Sequence, residues 1–415
     1  AGPVGLFAAL SLAKLGVRVE VVDRQWRTGA HSYALALHGQ SLQMLGELGL
    51  SDSIVERAYR VGSVGLYDAS GRRAEMRISE LGGPFPFVAV MPQDQLERVL
   101  ERALEEQGVK VRWNHEVARL DQDDRGVSAT IHRLEKQSTG YAIAHTEWVV
   151  ADTAQINVPL VIGADGHRST VRRSLVSAFD EVRPAQYFAV FEFRTDADLS
   201  GEMRVVMTDR ATDVVWPLPD GACRWSFQLS DYAAPAATRE KQRVVLQQIG
   251  GAEFPVVAEQ RLRGLLAQRG RWFGGTIDEI TWQIAVRFEH RLAERFGSGR
   301  LWLAGDAGHT TGPVGMQSMN VGFREAQELA AIFASILRGK ESIGALESYG
   351  RGRREEWRYL LGLDGGLKPT GAGDPWVARQ ADRLTTCIPA SRDAYARLAG
   401  QLGLEASGGG HPAGS

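Results

Sequence analysis

Arg300-Leu-Trp-Leu-Ala-Gly-Asp-Ala-Gly-His-Thr-Thr-Gly-Pro-Val-Gly-Met-Gln-Ser-Met-Asn320 is the stretch on which the fold turns. Its apolar run Leu301 to Ala304 predicts a buried strand, and Gly305-Asp306 ends it. A turn rich in small residues, with Pro313 inside it, leads into a helical pattern from about Gly315 to Leu337. A strand that delivers an acid beside a helix N-terminus makes a site for a polyhydroxylated, electron-poor ligand. The carboxylate accepts hydrogen bonds from hydroxyl groups, and the helix start offers unpaired N–H groups at the positive end of its dipole.

A second site of the same kind opens the chain. Ala1-Gly-Pro-Val-Gly5 is followed by apolar residues at helical spacing, Leu6, Leu10 and Ala13. Gly16, the β-branched run Val17 to Val22 and Asp23 come next, which reads as the later part of a dinucleotide-binding βαβ unit. Gly2 and Gly5 fit the second and third glycines of G-x-G-x-x-G. The second lets backbone approach a pyrophosphate, and the third lets the helix pack closely on the sheet. Asp23, 18 positions after Gly5 (23 − 5), stands where an acid grips a ribose hydroxyl pair. The first glycine and the strand before it are not in the sequence. A Rossmann sheet without that central strand is unstable, so the sequence reads as beginning inside a longer chain. A glycine pattern alone would also fit an ordinary αβ turn.

A third element, Leu160-Val-Ile-Gly-Ala-Asp-Gly-His-Arg-Ser-Thr-Val-Arg172, is again an apolar strand that ends on Gly-Ala-Asp-Gly before a basic helix start. Taken singly, it could be a strand-to-helix turn with no ligand.

In this order and at these separations the three motifs resemble class A flavoprotein monooxygenases, the para-hydroxybenzoate hydroxylase-like aromatic hydroxylases, over Ala1 to about Leu337. The resemblance implies FAD as cofactor, NADPH or NADH as co-substrate, O2, and a phenolic or polyketide-like aromatic substrate. It implies that Gly2, Pro3, Gly5, Asp23 and Arg24 hold the ADP half of FAD. Asp165 would support the cofactor and the nicotinamide approach, and Asp306 would bind the ribityl chain. Pro313 would lie against the isoalloxazine, with the backbone of Gly315, Met319 and Asn320 along its pyrimidine edge. Met91-Pro-Gln-Asp-Gln-Leu-Glu-Arg-Val-Leu100 resembles the helix that carries a flavin-contacting glutamine, here Gln93. The departures are Gly308 for a second alanine, Ser318 for a glycine, Arg324-Glu325 where Asp-Ala is common, and Tyr33 where many relatives carry an arginine.

Composition narrows the class. A chain of 415 residues, 44% hydrophobic, is long enough for two domains with sizeable cores. Its net charge of −2, with acids and bases intermixed, gives no nucleic-acid surface. Cys223 and Cys387 show no metal or redox spacing, and two thiols are too few for a disulfide framework, which fits a reducing compartment. No run of 18 apolar residues predicts a membrane span. A need for NAD(P)H points to the cytoplasm. The sequence does not read out an oligomeric state.

Pattern and resemblance together predict an α/β (mixed α+β) chain. Residues 1–61, 92–179 and 291–345 form a discontinuous Rossmann-type FAD-binding domain lacking its first strand. Residues 62–91 and 180–290 form a mostly antiparallel sheet that holds the substrate. Residues 346–405 are a helical segment with a loop at Gly362–Pro375, and 406–415 are a disordered tail. Within the first domain Gln40–Leu48 and 92–107 are helices, and the Lys136–Gln155 region reads as irregular. Arg239–Gln248 reads as a helix between sheet strands.

Neither His-Glu-x-x-His nor G-x-S-x-G occurs, and no metal set is visible, so the hard chemistry belongs to a cofactor. The resemblance implies reduction of FAD by NAD(P)H, then a flavin C4a-hydroperoxide that attacks an activated ring. An apolar roof must keep water out. Phe188, Phe191, Phe193, Trp216, Trp225 and Phe227 could supply it, with Phe191, Trp216 and Pro313 as substrate contacts, although large aromatics also dominate ordinary cores. No catalytic base is assigned. His309 could order its loop or act directly. His31 and His38 could be loop residues or active ones. The alternatives are a flavin-dependent reductase or epoxidase on the same scaffold, and an accessory protein that binds flavin or ligand without turnover.

Overall fold

The computed structural model describes residues 1–26, 35–139, 145–230, 246–249 and 252–406. His31, Tyr33, most of Arg239–Gln248 and the tail from Ser407 lie outside the described residues.

From the start, α1 (Pro3–Lys14) leads to β1 (Val21–Asp23), β2 (Ala36–Leu37), α2 (Gly39–Glu47), α3 (Ser51–Val55) and β3 (Tyr59–Val61). Then come β4 (Ser63–Asp68), β5 (Gly71–Arg77), β6 (Val88–Val90), α4 (Gln93–Glu106), β7 (Val111–Trp113), β8 (His115–Gln122), β9 (Val127–Thr139) and β10 (His145–Val158). Next are β11 (Val161–Gly163), α5 (Thr170–Ser174), β12 (Phe179–Arg194), β13 (Glu202–Met207), β14 (Thr212–Pro217), β15 (Ala222–Gln228), β16 (Leu246–Ile249), β17 (Ala252–Pro255), α6 (Glu259–Arg269) and β18 (Asp278–Ala293). The rest is β19 (Gly297–Ser298), β20 (Leu301–Leu303), β21 (His309–Thr310), α7 (Gln317–Leu337), α8 (Leu346–Leu360), β22 (Leu367–Pro369), α9 (Pro375–Leu384), α10 (Arg392–Gln401) and β23 (Leu404–Ala406).

The cofactor half is built from parallel pairs, β1 with β7 and β11 with β20, with Val161 opposite Leu301. Helix α1 starts at Pro3, whose fixed φ suits the first helical position and whose missing N–H costs nothing there. Leu6, Phe7 and Leu10 are fully buried and pack against Phe323 and Ala326 of α7 and Leu96 and Leu100 of α4. Each such side chain contributes roughly 1.5–3 kcal/mol on burial.

The second half is one eight-stranded sheet in the order β21-β18-β12-β15-β14-β13-β4-β5, antiparallel except where β13 runs parallel to β4. Strand alternation divides its aromatics between two faces. Phe188, Val190, Trp216 and Trp282 belong to an inner cluster that also contains Val314 and Met316 of the Pro313 turn. Phe191, Phe193, Trp225 and Phe227 belong to an outer cluster closed by Leu262, Leu265 and Leu266 of α6. Phe191, expected as a substrate contact, is thus on the face away from the Pro313 turn. Its neighbours on the strand point inward, and it points away. Of the six aromatics expected in the roof only Phe188 and Trp216 are on the inner face, because period-2 geometry sends alternate residues to the far side.

Three local expectations change. The Lys136–Gln155 region is not irregular, because β9 and β10 pair antiparallel through it, with Lys136 opposite Trp148. Leu246–Gln248, the end of the expected helix, lies in β16, paired with β17. The loop Gly362–Pro375 contains β22, which pairs with β23. The C-terminal segment is also more than an appendage. Trp376, Val377 and Leu384 of α9 and Tyr395 and Leu398 of α10 complete the inner cluster of the large sheet.

Candidate functional site

The three motifs converge on the first turn of α1. A Cβ placed on Gly5 would lie 3.4 Å from Cβ of Ala164, and one on Gly305 would lie 3.2 Å from Val4. One on Gly322, in the second turn of α7, would lie 2.7 Å from Val4 and 3.2 Å from Cα of Gly305. At Gly322 the approach is closer than a side chain allows, and at Gly305 it is tight, so glycine there lets α7 and the end of β20 close on α1. Gly305 also takes φ +65, which reverses the chain immediately after β20.

Asp306, at that reversal, is exposed, and Ser318 Oγ in the first turn of α7 donates to its carboxylate. Ser318, one of the departures, thus ties the acid to the helix start. The cap of α7 is Met316, left-handed at φ 52, with no side chain closing the helix. Its first N–H groups therefore keep their capacity to donate to a ligand.

Behind the turn lies a residue the sequence reading passed over. Glu325 is fully buried. Its carboxylate accepts from Gly305 N–H at 2.7 Å, from Trp357 Nε1 at 2.8 Å and meets His309 Nε2 at 2.9 Å. Burial pushes the carboxyl upward, but His309 and the hydrogen bonds from His309, Gly305 and Trp357 outweigh it and hold the group below its usual range. His309 stacks on Trp357 with ring centroids 3.7 Å apart. Of its two open readings, the structure supports ordering of the loop.

Asn320 does not present its side chain to a ligand. Its Oδ1 accepts from His38 N–H at 2.8 Å and Ser41 Oγ at 2.7 Å, and its Nδ2 donates to Ala36 O at 2.9 Å and Met316 O at 2.7 Å. All four positions are used to join β2 and α2 to α7. Met319 is buried among the apolar residues of α1 and α4, and Gly315 has no room for a Cβ, which would sit 2.5 Å from Thr386 O. These three residues can meet a cofactor through backbone only. His38 is buried as well. Its Nε2 lies 3.0 Å from Gly315 O, which can only accept, so Nε2 carries the proton. Desolvation outweighs that bond and lowers its pKa to about 3, so the ring is neutral.

At the end of β1, Asp23 accepts from Gln25 N–H at 2.8 Å. Arg24 is exposed beside it. Gln93 donates to Glu97 Oε1 at 2.7 Å in the first turn of α4. Glu97 is buried, and desolvation, opposed by Gln93, raises its pKa to about 7. Asp165 accepts from Ser169 Oγ, from Thr170 N–H at 2.6 Å and from Val171 N–H at 3.2 Å, closing the start of α5. Arg172, read only as part of a basic helix start, donates to Ala307 O at 2.6 Å and His167 O at 2.7 Å, linking the first and third motifs. Nothing in the sequence separates it from its exposed neighbour Arg173.

Pro313 is buried where the turn meets the inner face of the sheet. A Cβ on Gly312 would lie 3.2 Å from Gln186 Oε1 and 3.5 Å from His290 Nε2, so β12 and β18 buttress the turn. Among the described residues there is no cluster of three metal-ligating side chains, and no helix is long and apolar enough to cross a membrane.

The donor set suits an extended dinucleotide bearing a flavin. No side chain caps the start of α1, so its first N–H groups can donate to an anion.

Comparison with known proteins agrees with this geometry. The FAD binding domain family matches residues 1–361. The 6-methylpretetramide 4-monooxygenase of Streptomyces rimosus is 30% identical over 97% of this chain and 64% of its own length. The pentachlorophenol 4-monooxygenase of Sphingobium chlorophenolicum is 28% identical over 87% of this chain and 62% of its own. The chain thus spans under two thirds of the length of these two curated relatives. Among solved structures, p-nitrophenol 4-monooxygenase from Pseudomonas putida DLL-E4 superposes with a TM-score of 0.69 at 23% identity, over 97% of this chain and 91% of that one, which shows a shared fold.

Proposed function

The chain belongs to the FAD binding domain family, and from that premise we propose that it is an FAD-dependent, NAD(P)H-consuming monooxygenase that hydroxylates a phenolic or polyketide-like aromatic in the cytoplasm. The observation that carries this reading is the Asp306 turn, set against an uncapped helix start and facing an apolar sheet through Val314 and Met316. That combination joins a grip for a polyhydroxylated cofactor to an apolar sheet face. The names of two relatives, which act on a pretetramide and a chlorinated phenol, support the substrate class.

When bound, the flavin would supply hydride acceptance from NAD(P)H and activation of O2. The chain's own residues do the rest. The open start of α1 binds pyrophosphate oxygens, and Asp23 holds ribose hydroxyls. Asp306, kept in place by Ser318, orients the ribityl chain. The first N–H groups of α7 favour negative charge at the near edge of the ring by roughly 0.3–1 kcal/mol, and up to ~2 kcal/mol where partly buried. Phe188, Trp216, Trp282, Val314 and Met316 exclude water, which protects reactive oxygen species from being wasted. Gln186 and His290 buttress Gly312, which holds the Pro313 turn in place.

The test is direct. Purified protein is examined for oxidised flavin absorbance, and NADPH and NADH loss is followed with O2 uptake over a panel of phenols. Substrate-stimulated consumption with oxygen added to the ring is the expected result. Flavin bound without stimulated turnover would make the chain an accessory protein. Reduction without incorporation of oxygen would make it a reductase.

A further inference from the structure

The large sheet carries a row of aromatic rings that the site described above does not use. Trp225 of β15, Trp272 just after α6 and Tyr67 of β4 follow one another on the outer face, with ring centroids 5.8 Å and then 4.3 Å apart. The row continues through the sheet. Trp216 of β14 is opposite Arg224, and its neighbour Val215 is opposite Trp225, so the two tryptophans sit one step apart on adjacent strands. Their rings leave the sheet on opposite faces, and Trp216 belongs to the inner cluster that contains Val314 and Met316 of the Pro313 turn. Trp216 and Trp225 are fully buried, Trp272 is half-buried and Tyr67 is 8% exposed. The row thus runs from the face that meets the cofactor turn to the rim of the protein surface.

Two features set this row apart from ordinary core packing. Nε1 of Trp216, of Trp225 and of Trp272 is buried with no hydrogen-bond partner, whereas a buried indole N–H usually finds one. Tyr67 does have a partner. Its hydroxyl donates to Glu202 Oε1 at 2.8 Å, and Glu202 is paired at 2.8 Å with Arg72, whose side chain reaches solvent. Two glycines make room for this arrangement. A Cβ on Gly65 would lie 2.5 Å from the Tyr67 ring and 2.7 Å from Glu202 Oε2, and one on Gly270 would lie 3.3 Å from the Trp225 ring. The contrast in partners decides where an electron vacancy comes to rest. An indole or a phenol that loses an electron becomes a strong acid. With no acceptor at Nε1 the indole keeps its proton, stays strongly oxidising and is refilled by the next ring. Tyr67 has a carboxylate ready for its proton, so the vacancy stops there. Burial, helped by Glu202, pushes the resting phenol up to about 12, so its proton leaves only with the electron. Arg204 lies over the Trp272 ring at 5.2 Å, but its charge is matched by Glu202 at 2.8 Å.

We infer that Trp216, Trp225, Trp272 and Tyr67 form a relay that carries oxidising equivalents through the sheet to the surface, and so protects the protein when activated oxygen is not spent on a substrate. The inference rests on the monooxygenase reading, which supplies the oxidant. A hydroxyl radical, formed when peroxide is reduced by one electron, takes an electron from Trp216 and a proton from solvent and becomes water. Trp225 refills Trp216, Trp272 refills Trp225, and Tyr67 refills Trp272. The phenolic O–H bond breaks and its proton passes to Glu202. A soluble thiol then gives the Tyr67 oxygen a hydrogen atom, and the proton on Glu202 returns to solvent. The sum is one hydroxyl radical and one thiol converted to water and a thiyl radical, with the four side chains unchanged.

The experiment uses the FAD-loaded protein, blue light to make the bound flavin a one-electron oxidant, and pentaamminechlorocobalt(III) to carry the electron away. Electron paramagnetic resonance of frozen samples then reads where the vacancy rests. Wild type should give a tyrosyl radical that reduced glutathione discharges. Y67F should abolish that signal and leave a protonated tryptophanyl radical in its place. W272F should abolish it too, although Tyr67 is intact, because the row is cut one ring earlier. Both variants keep a ring in position, and flavin absorbance and the unfolding midpoint check that each is folded. No radical in wild type, or a tyrosyl signal that survives either substitution, would overturn the inference. Its fate is separable from that of the parent reading, because the photochemistry needs bound flavin and no substrate. A Tyr67 radical in a chain that adds oxygen to no phenol would leave the relay standing and remove the monooxygenase.

Discussion

Oε2 of Glu325 and Nε2 of His309 lie 2.9 Å apart, and both side chains are wholly removed from solvent. The same carboxylate receives Gly305 N–H and Trp357 Nε1, so a single group on α7 holds the cofactor turn, the residue after it and helix α8 together. In Glu325→Gln the amide can still accept but also brings two donors into a space lined by donors. Breaking a buried pair of this kind costs about 3–5 kcal/mol. We expect a Tm lowered by several degrees and a preparation depleted in flavin, read by thermal unfolding and by visible absorbance.

Trp357→Phe tests the same relationship more gently. The ring can still stack on His309, and only the indole N–H is lost. The expected cost is about 1–3 kcal/mol, the penalty for one unmet buried hydrogen bond. The measurement is the midpoint of urea unfolding. A midpoint equal to wild type would mean that Glu325 does not depend on this donor.

Asp306→Ala removes the exposed carboxylate at the turn and leaves the buried network intact. Losing hydrogen bonds to a charged group costs roughly 1.5–3 kcal/mol, or about ten- to a hundredfold in FAD affinity. Quenching of FAD fluorescence in a titration of the apoprotein gives the Kd. Unchanged affinity would refute the ribityl role, while Ser318→Gly should produce a smaller loss in the same direction.

The two faces of the large sheet predict opposite phenotypes for two aromatics. Phe191→Ala opens a void against α6 and should destabilise by about 3–5 kcal/mol, with KM for an aromatic substrate unchanged. Trp216→Ala lies on the inner face and should cost a similar amount of stability while also raising KM. Parallel unfolding curves and steady-state kinetics separate the two. A change in KM for Phe191→Ala alone would contradict the assignment of faces.

Glu97 gives a pH signature. Its folded pKa, raised to about 7 by burial, lies above its unfolded value. Between those two values the native state binds more protons than the unfolded state, so stability falls as pH rises from about 4.5 to about 7 and is level above that. The size is roughly 3 kcal/mol. Glu97→Gln should flatten this part of the stability–pH curve, followed by urea unfolding across the range. A slope equal to wild type would place the titration elsewhere.

Much of this was readable in the amino-acid sequence because its motifs are backbone devices. Gly2, Gly5 and Gly305-Asp306 announce close approach and chain reversal, and period-3.6 and period-2 patterns mark the helices and most strands. What stayed hidden depends on which way a side chain faces. Asp165 looks like Asp306 in sequence, each ending a strand on Gly-x-Asp or Gly-Asp, yet one caps its own helix and the other stays open to solvent. Phe191 looks like Trp216 until strand pairing places them on opposite faces. Glu325 and Arg172 carry no local signal, because their partners are supplied by segments 20 and 135 positions away.

The match to the cofactor family ends at residue 361, but the inner cluster of the large sheet is finished by Trp376, Leu384, Tyr395 and Leu404. A recombinant protein cut at that family boundary would leave the inner cluster without these side chains, and would lose both β22 and β23. Such a fragment should precipitate or recruit chaperones even though every glycine and acid around the dinucleotide remained in place. Residues that never touch the cofactor thus set the shortest length at which it can be studied.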